Sequence, residues 1–335
     1  MSIPQIKGRD TASRGPDPGH PENSAPESSV SKPPIIRIPP GNLLRPDATR
    51  PSEIMWQYAA VLTAVHLVSL LALVPWFFTW SGLIAAILGH FIFGMFGITI
   101  GYHRLLTHRG FTCPKWLEYS LVTMGMFNLQ DSPARWVAIH RIHHRHSDQQ
   151  DDTHSPLVSF LWGHIGWVLY RHKDTNRTLR YARFVPDILR DPYYRRLERN
   201  SAWFLVFFMH AFVIAAIGAA VGYSAGGASG ALQYASSWAV WGVAVRTVFV
   251  LHGTWSVNSL AHLYGYRNYE TRDQSTNNWL VALIAHGEGW HNNHHADPRS
   301  AAHGHRWWEI DMSWWVIRAL EGFGLARNVV RPRSV

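Results

Sequence analysis

The chain has 335 residues and a net charge of +9; 47% of its residues are hydrophobic and only 16% are charged. So small a charged fraction excludes a disordered chain and an ordinary soluble surface. A single cysteine excludes a disulfide scaffold, a cysteine zinc site and a CxxC redox motif.

Residues 1–51 hold eleven of the 19 prolines and no apolar run, so a disordered tail ending near Ser52 is expected. The tail lacks the apolar stretch of a signal peptide. From Ile54 to His103 there is no Asp, Glu, Lys or Arg. That stretch has room for two membrane helices of ~20 residues each, near 54–78 and 81–103. Pro75 and Ser81-Gly82 mark the break, and Trp76, Phe77, Phe78 and Trp80 beside it suit a membrane–water interface. A second uncharged stretch runs from Asn200 to Val245 and is divided by Gly222–Gly230. It predicts helices near 201–222 and 232–257.

The expected fold is therefore all-α: residues 52–335 form four transmembrane helices and a helical cap built from 104–199 and 258–335. The loops near 75–82 and 222–232 carry no Lys or Arg. By the positive-inside rule both termini and the cap are cytoplasmic. The basic excess then lies along the cytoplasmic leaflet and forms no stripe arranged for nucleic acid. Arg246 is the one charge between Asn200 and Tyr266. A buried membrane arginine is costly and usually paired; the cap, a lipid phosphate and snorkelling are its open alternatives.

Histidines cluster where the charges return. His140, His143 and His144 form HxxHH, and His291, His294 and His295 repeat it. Positions i, i+3 and i+4 share one face of an α-helix. His103 and His108 fall ~140° apart on an ideal helix, so they reach two adjacent metals or the helix ends between them. Neutral imidazole binds Fe, Zn, Cu and Ni, and eight histidines exceed one coordination sphere, so two metals are the economical reading. His262 follows Asn258 by four residues and makes a ninth candidate ligand. Asn258 is a weak ligand but can hold a metal-bound water; a helix-end hydrogen bond is its bland alternative. Lone His66, His90 and His210 read as satisfied core groups, and His252, inside the uncharged run, reads the same way.

GYHRLLTHRGF (101–111), WVAIHRIHHRHSD (136–148), GHIGW (163–167), WSVNSLAHLYGYR (255–267) and GEGWHNNHHAD (287–297) appear in order along the chain. Together they resemble the membrane fatty-acid desaturase family, its Δ9 (stearoyl-CoA desaturase-like) branch, over roughly residues 52–327. The resemblance implies a cap holding two irons through His103, His108, His140, His143, His144, His262, His291, His294 and His295. It places Asn258 at the family's water-holding asparagine. The implied reaction inserts a cis double bond into a saturated acyl chain, with O2 as co-substrate and two external electrons. The chemistry belongs to the di-iron centre, with no separate protein acid or base.

Val137-Ala138-Ile139 and Ser155–Ser159 depart from the charged residues of animal acyl-CoA members. Acyl-CoA and acyl-lipid substrates therefore both stay open, with Arg171 and Lys173 as candidate head-group contacts. A separate ferredoxin or cytochrome b5-like donor is the expected partner, besides membrane lipids. A related di-iron fatty-acid or sterol hydroxylase is the alternative on the same scaffold. A metal transporter fits less well, because its ligands belong near the bilayer midplane.

Overall fold

The computed structural model describes residues 38–333. Among these residues the protein is helical, with no strand beyond isolated backbone bridges such as Ile54 with Tyr170. The helices used below are α1 Trp56–Leu70, α2 Trp80–Gly89, α3 Lys115–Met126, α4 Pro133–His146, α5 Ala202–Trp238, α6 Arg246–Ser259, α7 Trp279–Ile284, α8 His291–Ala296 and α9 Met312–Gly322.

Three stretches are helical, long and apolar enough to cross a membrane: Trp56–Leu73, Trp80–Thr107 and Pro192–His262. The last has 71 residues and doubles back on itself within α5. The reversal is at Gly226-Gly227, where Gly227 has φ +59°. A Cβ on Gly222 would lie 2.2 Å from the carbonyl oxygen of Gly230, so the two arms meet backbone to backbone. Four apolar arms result. The first break matches the sequence: Pro75 opens a short 3₁₀ turn, and Thr79 caps α2 by accepting from the amide of Gly82.

α2 continues as a π-helix over His90–Thr107, four residues past the expected end. It packs closely on α3: a Cβ on Gly97 would sit 2.4 Å from the amide nitrogen of Gly125. Tyr102, Leu106, Val122, Met126, Val137 and Ala138 close a core between the π-helix, α3 and α4. That core fixes the ends of the two histidine-bearing helices relative to each other.

The tail expected over 1–51 lies outside the described residues as far as residue 37. Residues 38–51 are laid against the body. The amides of Gly41 and Leu43 both donate to the carbonyl of Leu157, and the amide of Lys173 donates to Ala48. The Arg45 guanidinium covers the rings of Trp162 and Tyr170. Proline-rich composition hid this docking, because backbone hydrogen bonds and one buried leucine, Leu43, carry it.

Arg246 is 1% exposed and turns inward. It donates to Asn128 Oδ1 (2.8 Å) and to the carbonyls of Phe127 (2.9 Å) and Gly242 (2.9 Å), and it lies over the Phe93 ring. Of the three alternatives, it turns toward the 104–199 segment, whose residues 127–128 it ties to α6. His210 is buried against Phe127 and Phe93 with neither ring nitrogen hydrogen-bonded, so stacking rather than satisfaction holds it.

Candidate metal centre

The nine histidines converge in two groups. His103, His108, His140, His144 and His294 form the first; His143, His262, His291 and His295 form the second. Within the first, Nε2 atoms lie 2.9 Å apart for His103–His140, 3.1 Å for His140–His108 and 2.9 Å for His294–His144. Within the second, His291 Nε2 lies 3.0 Å from those of both His262 and His295.

Each HxxHH motif divides between the groups. α4 gives His140 and His144 to one and His143 to the other, while α8 gives His294 to the first and His291 and His295 to the second. Three histidines on one helical face thus divide between two adjacent groups. His103 and His108 join the same group because the helix there is not α. The amide of His108 donates to the carbonyl of His103, an i→i+5 bond that stacks the residues one above the other. The ~140° separation held only for α-helical winding.

Carboxylates orient four of these rings. Nδ1 of His143 meets Asp152 (2.9 Å), His262 meets Asp148 (2.8 Å), His295 meets Asp273 (2.8 Å), and His103 meets Glu288. A neutral imidazole that donates Nδ1–H carries its lone pair on Nε2. Those Nε2 lone pairs face one another: His143 and His295 are 3.4 Å apart. Two such lone pairs cannot hydrogen-bond each other, and a metal ion between them would satisfy both. Burial raises a carboxyl, yet His262 and the Ser155 hydroxyl hold Asp148 well below the usual carboxylate range; His295 does the same for Asp273. These two thus stay ionised to receive the Nδ1–H groups, whereas burial pushes the Asp152 carboxyl up to about 6. Sequence reasoning missed all four carboxylates, although Asp148 and Glu288 stand inside the quoted motifs.

A cavity of about 540 Å³ approaches the groups. The first turns of α1 (Gln57, Tyr58, Val61) and the start of α5 (Ser201, Trp203, Phe204) line it. A second cavity of about 50 Å³ lies against His103, His291 and Glu288. Trp136, His140, Thr254 and Asn258 line both, so Asn258 sits between them. Gln130 ties this shared wall together: it donates to Thr254 Oγ1 (2.8 Å) and accepts from Trp136 Nε1 (3.3 Å). Arg171 and Lys173 line neither cavity. Arg171 pairs with Glu53 at 3.2 Å, and Lys173 borders a separate polar cavity with His172, Asp174 and Arg183.

His252 stands apart from both groups, in a row of hydrogen-bonded rings. His66 Nδ1 meets the Leu62 carbonyl (2.6 Å), His66 Nε2 meets His252 Nε2 (3.1 Å), and His252 Nδ1 meets His164 Nε2 (2.9 Å). His164 Nδ1 ends the row on Ser259 Oγ at 2.9 Å.

A profile of the family described as fatty acid desaturase matches residues 75–330. The chain belongs to the fatty acid desaturase family. The sn-1 stearoyl-lipid 9-desaturase of Anabaena variabilis is 43% identical over 84% of this chain and 96% of its own. The sn-2 palmitoyl-lipid 9-desaturase of a Nostoc species is 38% identical over 86% and 94%. The acyl-CoA 5-desaturase of Anemone leveillei is 42% identical over 78% and 75%. The protein is accordingly an oxidoreductase of lipid metabolism, a fatty-acid desaturase.

Proposed function

We propose that this desaturase places a cis double bond at the Δ9 position of a saturated acyl chain carried on a membrane lipid, using O2 and two external electrons. The carrying observation is the pair of imidazole groups beside two adjacent cavities that share Trp136, His140, Thr254 and Asn258. His103, His108, His140, His144 and His294 would hold one iron, and His143, His262, His291 and His295 the other. Bound there, iron supplies the O2 activation needed to remove hydrogen from an unactivated CH2. Asn258, between the cavities, positions a water beside the second group.

The chain's own residues do the rest. Asp148, Asp152, Asp273 and Glu288 fix the imidazole tautomers and orientations. The wall of Trp136, Thr254 and Gln130 directs the acyl chain past His140, and the apolar walls keep water out. A lipid-borne substrate is supported by the part of the cavity wall formed by the ends of α1, α5 and α6, which stands beside cap residues such as Asp131, Arg135 and His154. The lipid desaturases among the relatives agree with it. Acyl-CoA remains the runner-up, with Arg171 and Lys173 as its head-group contacts. The four apolar arms are read as four membrane spans in a bacterial inner membrane, with both termini and the cap on the cytoplasmic side. An electron-donor protein of the ferredoxin or cytochrome b5 type then reaches the cap from the cytoplasm.

Expression in cells lacking unsaturated fatty acids tests this reading. Gas chromatography should show the Δ9 product, first in the lipid pool rather than the acyl-CoA pool. A product sixteen mass units heavier than substrate, instead of two lighter, would mean hydroxylation.

A further inference from the structure

The surface around α9 has no part in the reaction proposed above, yet it is strongly apolar. Trp307 is 92% exposed, Trp315 57% and Phe323 81%. Trp315, Arg318 and Ala319 fall at i, i+3 and i+4 on the outer face of α9, while Ser313 and Ile317 are buried on the inner one. The only acid on this helix, Glu321, is held by Arg318 and Arg331, so no free negative charge opposes burial of the face in an interface.

The level of α9 along the spanning helix gives the second observation. Trp80, exposed in the aromatic cluster at the start of α2, marks one membrane boundary. Thr99 lies nineteen residues further on, roughly half of them in the tighter-rising π-wound stretch, so at most about 28 Å at ~1.5 Å per residue, just within the ~30 Å hydrocarbon thickness. Ser313 of α9 bonds Thr99 through its hydroxyl at 2.6 Å and meets the carbonyl of His286 at 2.9 Å. α9 is therefore fastened to the helix where that helix leaves the hydrocarbon. The apolar surface is also continuous: α7 presents exposed Leu280 and Leu283, and His286 just beyond it lies 5.2 Å from the exposed ring of Phe91.

We propose that α9, with Trp307 before it and Phe323 after it, is a membrane-surface helix that seats the cap in the lipid head-group layer. Tryptophan and arginine on one face are the residues that such a layer accepts, ring inward and charge outward. The occupant is the lipid leaflet, and the inference rests on the membrane reading given above.

The test uses the full chain in lipid nanodiscs. Cys113, the sole cysteine, is replaced by Ser, and single cysteines at Trp315 and, separately, Trp307 carry an environment-sensitive fluorophore. Phe212→Cys on the outer face of α5 serves as the span control, and Gln149→Cys in the exposed turn after α4 as the water control. The labels at 315 and 307 should be blue-shifted relative to 149. They should be quenched more by spin-labelled lipid than by iodide, at a shallower depth than 212. If 315 and 307 behave like 149 while 212 is quenched from the lipid, the surface is overturned and the membrane reading stands. If 212 itself is open to iodide, both fall.

Discussion

The amide of His108 donates to the carbonyl of His103, five residues earlier, at 3.1 Å. That one bond decides which of the two histidine groups His108 joins. The π-winding brings its ring to 4.7 Å from that of His103, centroid to centroid, and into the first group. His108→Ala is expected to strip metal from that group alone and to abolish desaturation. Elemental analysis of the purified protein checks it; full metal content would show that His108 is not a ligand.

His262 and His252 make a sharper comparison. Ten residues of helix rise ~15 Å, so the two cannot serve one centre. His262→Ala should empty the second group and end activity while the protein still inserts. His252→Ala should retain the metal at both groups and lower stability by roughly 0.5–1.5 kcal/mol, because His66 and His164 each lose a half-buried hydrogen-bond partner. Equal metal loss in both variants would place the ninth ligand elsewhere.

Asp273→Asn keeps the shape of the side chain beside His295 but removes its charge. Losing such a carboxylate partner lowers metal affinity by roughly 10–100-fold. Chelator competition should show that loss in the second group, with the fold intact by circular dichroism. Unchanged chelator resistance would mean that the carboxylate does not tune the site.

Asn128→Ala removes the acceptor of a buried guanidinium N–H. Leaving that group unsatisfied costs roughly 1–3 kcal/mol, read as a lower unfolding midpoint in detergent. The conservative Arg246→Lys should also destabilise, since one ammonium cannot span Asn128, Phe127 and Gly242 in the geometry of the guanidinium fork. A midpoint unmoved by both variants would show that this tie carries little.

Removing residues 1–37 and removing residues 1–51 should differ. The longer truncation takes away the segment bonded to Leu157 and Lys173 and uncovers Trp162. Its unfolding midpoint should fall below that of the shorter truncation, with metal content preserved in both.

The features legible in the sequence are those written locally. The absence of charge over 54–103 and 200–245 gave the apolar arms, and the spacing of HxxHH gave shared helical faces. What stayed hidden depends on residues distant in the chain. Glu288 reaches His103 across 185 positions, and Asn128 reaches Arg246 across 118. No periodicity reports such pairings. The π-winding was hidden for another reason: a histidine interval of five looks irregular against an α-helix, and the close approach of Gly97 to Gly125 appears only once α3 is in place.

The row from His66 to Ser259 has a consequence in proton number. Its four contacts need one hydrogen each. The Leu62 carbonyl can only accept, so His66 carries a hydrogen on Nδ1. If Ser259 donates to His164, three imidazole hydrogens complete the row and every ring is neutral. Ser259 also lies 2.8 Å from the carbonyl of Trp255 and can donate there instead. His164 must then donate to the serine oxygen, and the three rings hold four hydrogens and one positive charge. The turn of a single hydroxyl, one residue from Asn258, is thereby coupled to whether α1, α6 and the 163–167 segment are joined by a neutral row or by a cation.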